Sequence, residues 1–353
     1  SGRQVELIGV GGRRLEEMGL RSLFDASQIA IMGFSAVLRD LPRLMWRIRK
    51  TAKTIAAEKP DCLITVDSPD FGLRVAKKVR ALAPDIPTIH YVCPSVWAWR
   101  SGRAIDMRPY VDHILCLLPF EPTELDRLGG PEGTFVGHRL ANDPSIRESA
   151  LSQLGGARRG EVKRLLLLPG SRRGEVTRLI PVFGETVKRL KSAGHKFELL
   201  LPTVPHVEGL VREATANWPI QPEIILGEEA KWKAFASADA ALACSGTVAL
   251  ELALARVPFI SVYKVDFLVR MLAPYLLKVW TASLPNLIAG WPVVPEYFNQ
   301  YINPEMLARL LPRLWNETPT RLSQRQGFSH VADALSTPVP SGDLAARVVL
   351  NKI

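Results

Sequence analysis

The sequence has few cysteines and no long apolar stretch, and each shortage excludes a class of protein. Its four cysteines among 353 residues include no C-x-x-C pair, so neither a disulfide framework nor a zinc site is indicated. No apolar stretch reaches the roughly 18 residues that a membrane-spanning helix requires, and we expect no signal peptide. All four thiols lie in apolar, strand-like segments, which predicts reduced core cysteines in a cytoplasmic protein: Cys62, Cys93, Cys116 and Cys244.

Several motifs of nucleotide and metal sites are missing as well. Residues 9–12, Gly-Val-Gly-Gly, do not complete the dinucleotide-binding pattern G-x-G-x-x-G, because Arg14 occupies the third glycine position. The sequence contains no P-loop and no H-E-x-x-H or other cluster of metal ligands. We therefore expect neither a metal ion nor a cofactor.

The composition that is present is ordinary for a globular protein. Apolar residues make up 47% and charged residues 23%, and the length is sufficient for two α/β domains with full cores. The net charge of +10 favours an acidic partner, which is a nucleic acid, an anionic lipid or a phosphorylated substrate.

Strand-like and helical segments alternate along the chain. Near-continuous Val, Ile and Leu stretches are typical of parallel strands covered on both faces. They predict strands near residues 5–10, 61–66, 87–93, 112–117, 134–137, 164–168, 196–201, 222–226, 239–243 and 257–262. The helices between them are predicted near 73–83, 120–128, 176–193, 206–217, 229–237 and 246–255. We therefore predict an α/β fold of two doubly wound, Rossmann-like parallel sheets.

The predicted domains are residues 1–155 and 156–318, followed by C-terminal helices at 319–353 that pack back towards the first domain. The linker is predicted at 149–164, where three glycines lie among mixed charges. Ligands in such folds bind outside the carboxyl ends of the strands, so the cleft between the domains is the expected active site.

Two strand-to-helix turns in the second half carry the clearest chemical signal. One joins the apolar strand Leu165–Leu168 to a helix through Gly170, Ser171 and Arg172, and the other joins Ala240–Ala243 to a helix through Ser245, Gly246 and Thr247. Each turn places N–H groups at a helix N-terminus, which is an anion site. Each turn taken singly is more often only a helix cap, but together they suggest a nucleotide diphosphate. Glu251, one turn into the second helix, is either a ribose contact or a solvated carboxylate near a helix start.

Carboxylates and indoles follow strands of the first half. Asp67 and Asp70 come directly after the strand that ends at Val66, and one of them is a candidate general base, although a helix cap is the better interpretation for at least one. After the next strand, Ser95 and Trp97 belong to a Pro-Ser turn with indoles, which either line a sugar or acyl pocket or stack on core helices.

Two further residues are weaker candidates. His90 lies within its strand and is more often a core histidine than a ligand. Asn286, in Ser-Leu-Pro-Asn-Leu, is a candidate for a phosphate or sugar contact, although Pro-Asn is also an ordinary turn signal.

Residues 29–55 combine an apolar stretch with a basic helix. Six cations face one nearby acid, and apolar residues recur at helical spacing. A basic amphipathic helix of this kind is typical of a membrane-surface element, and equally of a surface helix packed on the sheet. The candidate membrane contacts are Ile31, Met32, Phe34, Val37, Leu38, Leu41, Arg39 and Arg43.

The sequence resembles the lipid-A-disaccharide synthases, which are bacterial glycosyltransferases of the GT-B fold. The resemblance covers essentially the whole chain, and the stretch from His90 to Arg100 is highly specific. The matching segments are Asp67–Phe71, Thr88–Arg100, Leu118–Glu121, Phe135–His138, Leu168–Arg172, Ser245–Thr247 with Glu251, and Ser283–Leu287. Members of that family begin with a strand and a G-E-x-S-G-D loop that this sequence lacks, so we expect an N-terminal truncation.

The resemblance implies an inverting transfer from UDP-2,3-diacylglucosamine to 2,3-diacylglucosamine 1-phosphate (lipid X). It implies a β-1,6-linked disaccharide 1-phosphate and UDP as products, no metal, no nucleic acid, and a place on the inner face of the cytoplasmic membrane of a Gram-negative bacterium. The alternatives are another GT-B transferase that uses a UDP-N-acetylhexosamine, or a nucleotide-sugar binding protein without turnover. A homodimer is left open.

The resemblance also distributes the candidate residues over the reaction. Asp70 is the predicted base, and Arg172 is predicted to stabilise the departing diphosphate. The predicted donor contacts are Gly170, Ser171, Arg172, Ser245, Gly246, Thr247, Glu251 and Asn286, and the predicted acceptor contacts are Asp67, His90, Ser95 and Trp97.

Overall fold

The computed structural model describes residues 5–26, 34–155, 162–265 and 277–353, without the side chains of 34–41. The chain forms two compact units, of which the first is Ser1–Val136 with Gly342–Ile353 and the second is Gly137–Ser341. Each unit contains a parallel sheet with helices packed on it.

The first unit begins with short elements and continues as strands alternating with helices. Its described elements are β1 (Ile8–Gly9), α1 (Arg13–Glu17), β2 (Arg21–Ser22), α2 (Phe34–Glu58), β3 (Leu63–Val66), α3 (Gly72–Leu82), β4 (Thr88–Tyr91), α4 (Gly102–Met107), β5 (His113–Cys116), α5 (Glu121–Arg127) and β6 (Gly133–Phe135).

The second unit starts with a short 3-10 turn at Arg139–Asn142. Its described elements are α6 (Pro144–Gln153), β7 (Lys163–Leu168), α7 (Arg173–Ser192), β8 (Phe197–Thr203), α8 (Pro205–Thr215), β9 (Glu223–Leu226), α9 (Glu228–Ser237), β10 (Ala240–Cys244), α10 (Thr247–Leu254), β11 (Phe259–Tyr263), α11 (Leu284–Ala289), β12 (Glu296–Phe298), α12 (Pro304–Leu310), α13 (Pro312–Trp315) and α14 (Pro319–Leu335). The last helix, α15 (Ser341–Leu350), lies almost entirely in the first unit.

The sheet of the first unit has four parallel strands in the order β3-β4-β5-β6. Its core on one face includes Ile48 of α2, Val79 of α3 and Ile114 of β5. On the other face, Ile89 and Leu115 pack with Val136 against apolar side chains of α15, which are Leu344, Ala345, Val348 and Val349. The end of the chain therefore completes the core of the first unit.

The edge of this sheet differs from the prediction of strands buried on both faces. Ile64 and Val66 of β3 are exposed, and β3 is an edge strand of this sheet in the described part of the chain. The predicted core strand near 5–10 is also wrong. Only Ile8–Gly9 forms a strand, which pairs with β2 in a separate two-stranded sheet, and the Ile8 side chain is exposed.

The sheet of the second unit has six parallel strands in the order β12-β11-β10-β7-β8-β9. The order reverses between β7 and β10, which are hydrogen-bonded neighbours with Leu168 opposite Ala243. This reversal is the topological switch point of a doubly wound sheet, outside whose strand ends ligands bind. In the described part of the first unit the four strands follow one another in sequence order instead.

The elements at the switch point form because their apolar residues follow the pattern of a buried strand in β7 and of a helix in α7. Leu165 to Leu168 are all buried, as a central parallel strand requires. Apolar residues of α7 recur at helical spacing and are buried against the sheet: Val176, Leu179, Ile180, Phe183, Val187 and Leu190. The packing of α7 on the sheet therefore fixes the position of the turn between β7 and α7.

The two units differ from the predicted domains at both boundaries. The first unit ends at Val136, because α6, which lies within the predicted first domain and overlaps the start of the predicted linker, packs on α9 of the second unit. The hydroxyl of Ser149 donates to the Trp232 carbonyl at 3.2 Å, and the Gln153 amide donates to the Ala238 carbonyl at 2.8 Å. Helix α14 also belongs to the second unit, where Gln324 exchanges hydrogen bonds with the Phe259 backbone.

Candidate active site

A cavity of about 450 Å³ lies at the switch point of the second unit. Residues of both predicted turns line it, together with residues that follow β8 and β9. The lining includes Gly170, Ser171, Arg172, Glu175, Thr203, Gly227, Glu228, Lys231, Ser245, Gly246, Thr247, Val248 and Glu251. The structure thus brings together all the predicted donor contacts except Asn286.

The first turn is capped from within by Glu175. Its carboxylate accepts the backbone N–H groups of Ser171 at 3.1 Å and Arg172 at 3.2 Å, and it accepts the Arg172 guanidinium at 2.6 Å. Gly170 has φ +111°, and a Cβ there would lie 2.5 Å from a carboxylate oxygen of Glu175, so the turn requires glycine. The helix-cap interpretation therefore holds for these two N–H groups.

The Arg172 side chain nevertheless remains available to a ligand. It is 62% exposed, and it lines the cavity although one guanidinium nitrogen binds Glu175. The hydrogen bond and negative charge of Glu175 raise the pKa of Arg172, so the guanidinium is charged at every physiological pH. The first turn therefore offers a charged side chain, while Glu175 occupies the N–H groups of Ser171 and Arg172.

The second turn lacks a side-chain cap. Gly246 has φ +149°, and no side chain caps the N-terminus of α10. Within the described ranges, the N–H groups of Thr247 and Val248 have no hydrogen-bond acceptor, and both residues line the cavity. Uncapped N–H groups at the positive end of a helix are what an oxyanion binds.

Glu251 lies one turn further along α10 and is largely buried in the cavity wall. Burial raises the pKa of its carboxyl group, and the nearby Lys231 ammonium acts in the opposite direction. The Lys231 Nζ lies 3.2 Å from the Glu251 Oε2. The interpretation of Glu251 as a freely solvated carboxylate is therefore wrong.

Asn286, unlike the other predicted donor contacts, does not line the cavity. Its amide oxygen accepts the N–H groups of Val293 at 2.9 Å and Val294 at 2.8 Å, and its nitrogen donates to the Val294 carbonyl at 3.0 Å. The side chain is buried and closes a loop. The Asn286 amide also donates to the Thr281 hydroxyl at 3.3 Å, and the carbonyl of the next residue, Ala282, accepts a hydrogen bond from the Ser245 hydroxyl of the second turn at 3.2 Å.

In the first unit, Asp67 and Asp70 follow β3 on an exposed loop. Asp67 and Ser68 have φ of +45° and +43°, conformations that cost free energy for non-glycine residues and concentrate at functional sites. The predicted helix cap is wrong, because Phe71 is the N-cap of α3, which begins at Gly72, and no side chain caps this end. Asp70 instead lies 3.3 Å from the Arg103 guanidinium.

His90 lies in the core, as the alternative interpretation held. Its side chain is fully buried, and its Nδ1 shares a hydrogen bond of 2.7 Å with the Thr65 hydroxyl. Burial, with a smaller effect of the Arg103 charge, lowers the pKa of His90 to about 4. The ring is therefore neutral and structural.

The loop after β4 is strained and carries the predicted acceptor contacts. Val92 has φ +79°, which is unusual for a β-branched residue. Ser95 is exposed, whereas Trp97 is half-buried with its ring edge against Phe120, 5.2 Å between centroids. The Trp97 indole N–H donates to a carboxylate oxygen of Glu121 at 3.2 Å.

Glu121 is the residue that the sequence reasoning missed. Its other oxygen accepts the N–H groups of Leu117 and Leu118, both at 2.9 Å, so Glu121 joins the loops after β4 and β5. Burial raises the pKa of Glu121 to about 7, although these hydrogen bonds act against the shift. Ligand atoms of Cys93 and Cys116 lie within 4.8 Å of it. The only signal in the sequence was its place in Leu-Pro-Phe-Glu.

Most of the predicted membrane contacts lie outside the described residues or have no described side chain. Ile31 and Met32 are not among the described residues, and α2 contains Phe34, Val37, Leu38, Arg39 and Leu41 without described side chains. Further along α2, Ile48 is buried in the core while Trp46 is 60% exposed, with the Lys50 ammonium 5.3 Å from its ring centre. Arg43 is exposed as well. Among the described residues, no helix is both long and apolar enough to cross a membrane.

The sequence matches the family described as lipid-A-disaccharide synthetase over residues 2–338. The lipid-A-disaccharide synthase of Rhodopseudomonas palustris strain HaA2 is 46% identical over 353 residues, which is 99% of this chain and 89% of that protein. This chain belongs to the lipid-A-disaccharide synthase family.

Solved structures identify the fold of this lipid-A-disaccharide synthase family member. The Staphylococcus aureus MnaA–UDP co-structure superposes with a TM-score of 0.59 at 13% identity, over 98% of this chain and 97% of that one. Acinetobacter baumannii MurG gives a TM-score of 0.52 at 14% identity, over 93% and 97%. The fold is GT-B, as expected, and the chain is a glycosyltransferase that uses a nucleotide-sugar donor and a phosphorylated lipid acceptor.

Proposed function

We propose that this chain transfers the diacylated glucosamine of UDP-2,3-diacylglucosamine to the 6-hydroxyl of 2,3-diacylglucosamine 1-phosphate. The products are the β-1,6-linked disaccharide 1-phosphate and UDP. Family membership supports the reaction, and the switch-point cavity, with one charged turn and one uncapped turn, is the observation that carries the donor site.

The two turns divide the work on the diphosphate. The N–H groups of Thr247 and Val248 bind one phosphate oxygen at the N-terminus of α10, where the helix dipole favours negative charge. The Arg172 guanidinium approaches from the other turn and stabilises the charge that grows on the leaving diphosphate. The Glu251 carboxylate, which lines the same cavity, accepts hydrogen bonds from the ribose hydroxyls.

The acceptor side belongs to the first unit, where carboxylates follow β3. The acceptor 6-hydroxyl oxygen attacks the anomeric carbon, the bond from that carbon to the UDP oxygen breaks, and the hydroxyl proton passes to the Asp70 carboxylate. Arg103 orients this carboxylate at 3.3 Å. The strained backbone at Asp67 supports a site on this loop, so Asp67 is the alternative base.

The substrates place the enzyme at a membrane surface. Both carry acyl chains, and both are anionic, which suits a chain of net charge +10. Helix α2 presents the exposed Trp46 with basic neighbours, and it continues an apolar stretch at 29–38. We therefore assign α2 and this stretch to peripheral contact with the inner face of the cytoplasmic membrane.

UDP release with the diacylated donor and lipid X tests the reaction, and Asp70→Asn tests the base. Because the amide cannot accept the proton, we expect kcat to fall about 100-fold or more while UDP affinity is unchanged. Asp67→Asn is the matched control from the same loop. If Asp67→Asn has this effect and Asp70→Asn keeps most of its turnover, Asp67 is the base.

The same assay separates the alternatives. Release of UDP from a UDP-N-acetylhexosamine, and not from the diacylated donor, indicates a different transferase. UDP binding without release from either donor indicates a binding protein.

A further inference from the structure

Lys231 lines the donor cavity, but the proposed reaction gives it no role. It lies on α9, and its Nζ is 3.2 Å from an oxygen of Glu251 and 3.3 Å from an oxygen of Glu228. Its ammonium also lies 4.3 Å from the Trp232 ring centre. The Lys231 and Glu251 side chains are only 19% and 17% exposed, so their ion pair is shielded from solvent.

A partly buried carboxylate needs such a partner if it is to accept hydrogen bonds from a ligand. Burial disfavours the charged form of Glu251, and the neighbouring Glu228 adds to this effect. Lys231 favours the charged form through its charge and its hydrogen bond, and Arg139 does so through its charge. Of these two cations, Lys231 is the one that lines the cavity.

We infer that Lys231 is a positioning residue of the donor site, which holds the Glu251 carboxylate charged and turned towards the ribose hydroxyls. The inference rests on the proposed function, because it assigns the ribose to Glu251. Lys231 has three donor hydrogens, and Glu251 has two oxygens. The pair therefore leaves acceptor capacity on the carboxylate for the nucleoside.

Lys231→Met removes the ammonium and keeps much of the apolar stem over Trp232. We expect UDP affinity, measured by calorimetry, to fall about tenfold or more, since a charge-assisted contact is lost. Pyrophosphate affinity should change less than about threefold, because the diphosphate turns are untouched. In a Glu251→Gln background the same substitution should have little further effect on UDP.

Lys233 provides a matched control on the same helix. It pairs with Glu229 at 2.6 Å but is 75% exposed and does not line the cavity. Lys233→Met should bind UDP like the wild type, and Lys231→Arg should restore affinity to within about threefold. Thermal melts verify folding, and Lys231→Gln serves for the same comparison if the methionine variant does not fold.

The dependence on pH distinguishes positioning from a general loss of structure. Without Lys231, the pKa of Glu251 rises further, so the UDP affinity of Lys231→Met should recover as the pH is raised. The Glu251→Gln variant should show no such recovery.

Two outcomes overturn the inference. An equal loss of pyrophosphate and UDP affinity in Lys231→Met means that Lys231 binds phosphate directly, and unchanged UDP affinity means that it has no role. Failure of the wild type to bind UDP is a separate result, which rejects the proposed donor site itself.

Discussion

At the scale of single residues, the donor turns show how similar sequence patterns give different chemistry. Both are Gly-containing turns between a buried strand and a helix, yet Glu175 accepts hydrogen bonds from the Ser171 and Arg172 N–H groups of the first, whereas no side chain caps the second. A carboxylate three positions into a helix reaches back to its N-cap, and α10 has Ala249 at the corresponding position. One side chain therefore decides which of the two turns is capped.

Arg172→Ala tests the contribution of the first turn. We expect UDP binding to weaken by about 1.5–3 kcal/mol, which is typical of a charge-assisted contact. Calorimetry with UDP measures this, and Arg173→Ala, next in sequence and outside the cavity lining, is the control. Unchanged UDP affinity in Arg172→Ala would remove this residue from the donor site.

Glu121→Gln tests the buried carboxylate between the loops after β4 and β5. Because burial raises its pKa from 4.5 to about 7, the folded protein binds this proton more tightly than the unfolded chain. The stabilisation from protonation is complete below about pH 4.5 and is lost as pH rises to about 7.

We therefore expect Glu121→Gln to be less stable than the wild type at pH 5, with a deficit that narrows by pH 8. Denaturant titrations over this range measure the two free energies of unfolding. Glu124→Gln is the control, because Glu124 lies on the same helix and forms a salt bridge with Arg127 at 2.6 Å. Its stability relative to the wild type should not show the change with pH expected for Glu121→Gln. A deficit that stays constant with pH would contradict the raised pKa.

At the scale of elements, α2 combines two roles along its length. The part from Leu44 onwards packs on the sheet through Ile48, Ala52 and Ile55, while Trp46 and the basic side chains face outwards. The interpretations as a packed surface helix and as a membrane contact are thus compatible, because they apply to different faces.

Serine substitutions separate these faces. Trp46→Ser, and the triple change of Met32, Phe34 and Leu38 to serine, should reduce binding to anionic liposomes without lowering the melting temperature. Co-sedimentation measures the binding. Ile48→Ser should lower the melting temperature instead, because its side chain is buried, and Leu322→Ser, exposed on α14, should change neither. Unaltered liposome binding in both membrane variants would reject the proposed surface.

At the scale of the whole molecule, the chain returns to its starting unit. Helix α15 follows the second unit in sequence but packs on Ile89, Leu115 and Val136 of the first unit. The stability of the first unit therefore depends on the last residues of the sequence, and these residues should matter more than their terminal position suggests.

The double substitution Leu344→Ala with Val348→Ala should destabilise the first unit by about 1–4 kcal/mol, since both side chains are partly buried. Differential scanning calorimetry should show one transition moving to lower temperature while UDP binding to the second unit is retained. Arg347→Ala, exposed on the same helix, is the control. No shift in either transition would mean that α15 adds no stability.

Much of this architecture follows from the sequence alone. Nine of the ten predicted strands are present, because apolar runs of four to six residues are typical of buried parallel strands, whereas that near residues 5–10 is reduced to the two-residue β1. The two donor turns were also predictable, since a strand, a glycine turn and a helix are local events. The family match and the GT-B fold agree with the motifs that carried the resemblance.

Only the tertiary structure decided which polar side chains face a ligand. Asn286 and Glu175 carry the residue types of a binding site, yet their hydrogen bonds close a loop and cap a helix. The pairing of Lys231 with Glu251 and of Glu121 with Trp97 could not be predicted locally, because these partners lie 20 and 24 positions away in sequence. Period and turn chemistry are encoded in neighbouring residues, whereas the pairing of buried charges depends on strand order, which brings distant segments together.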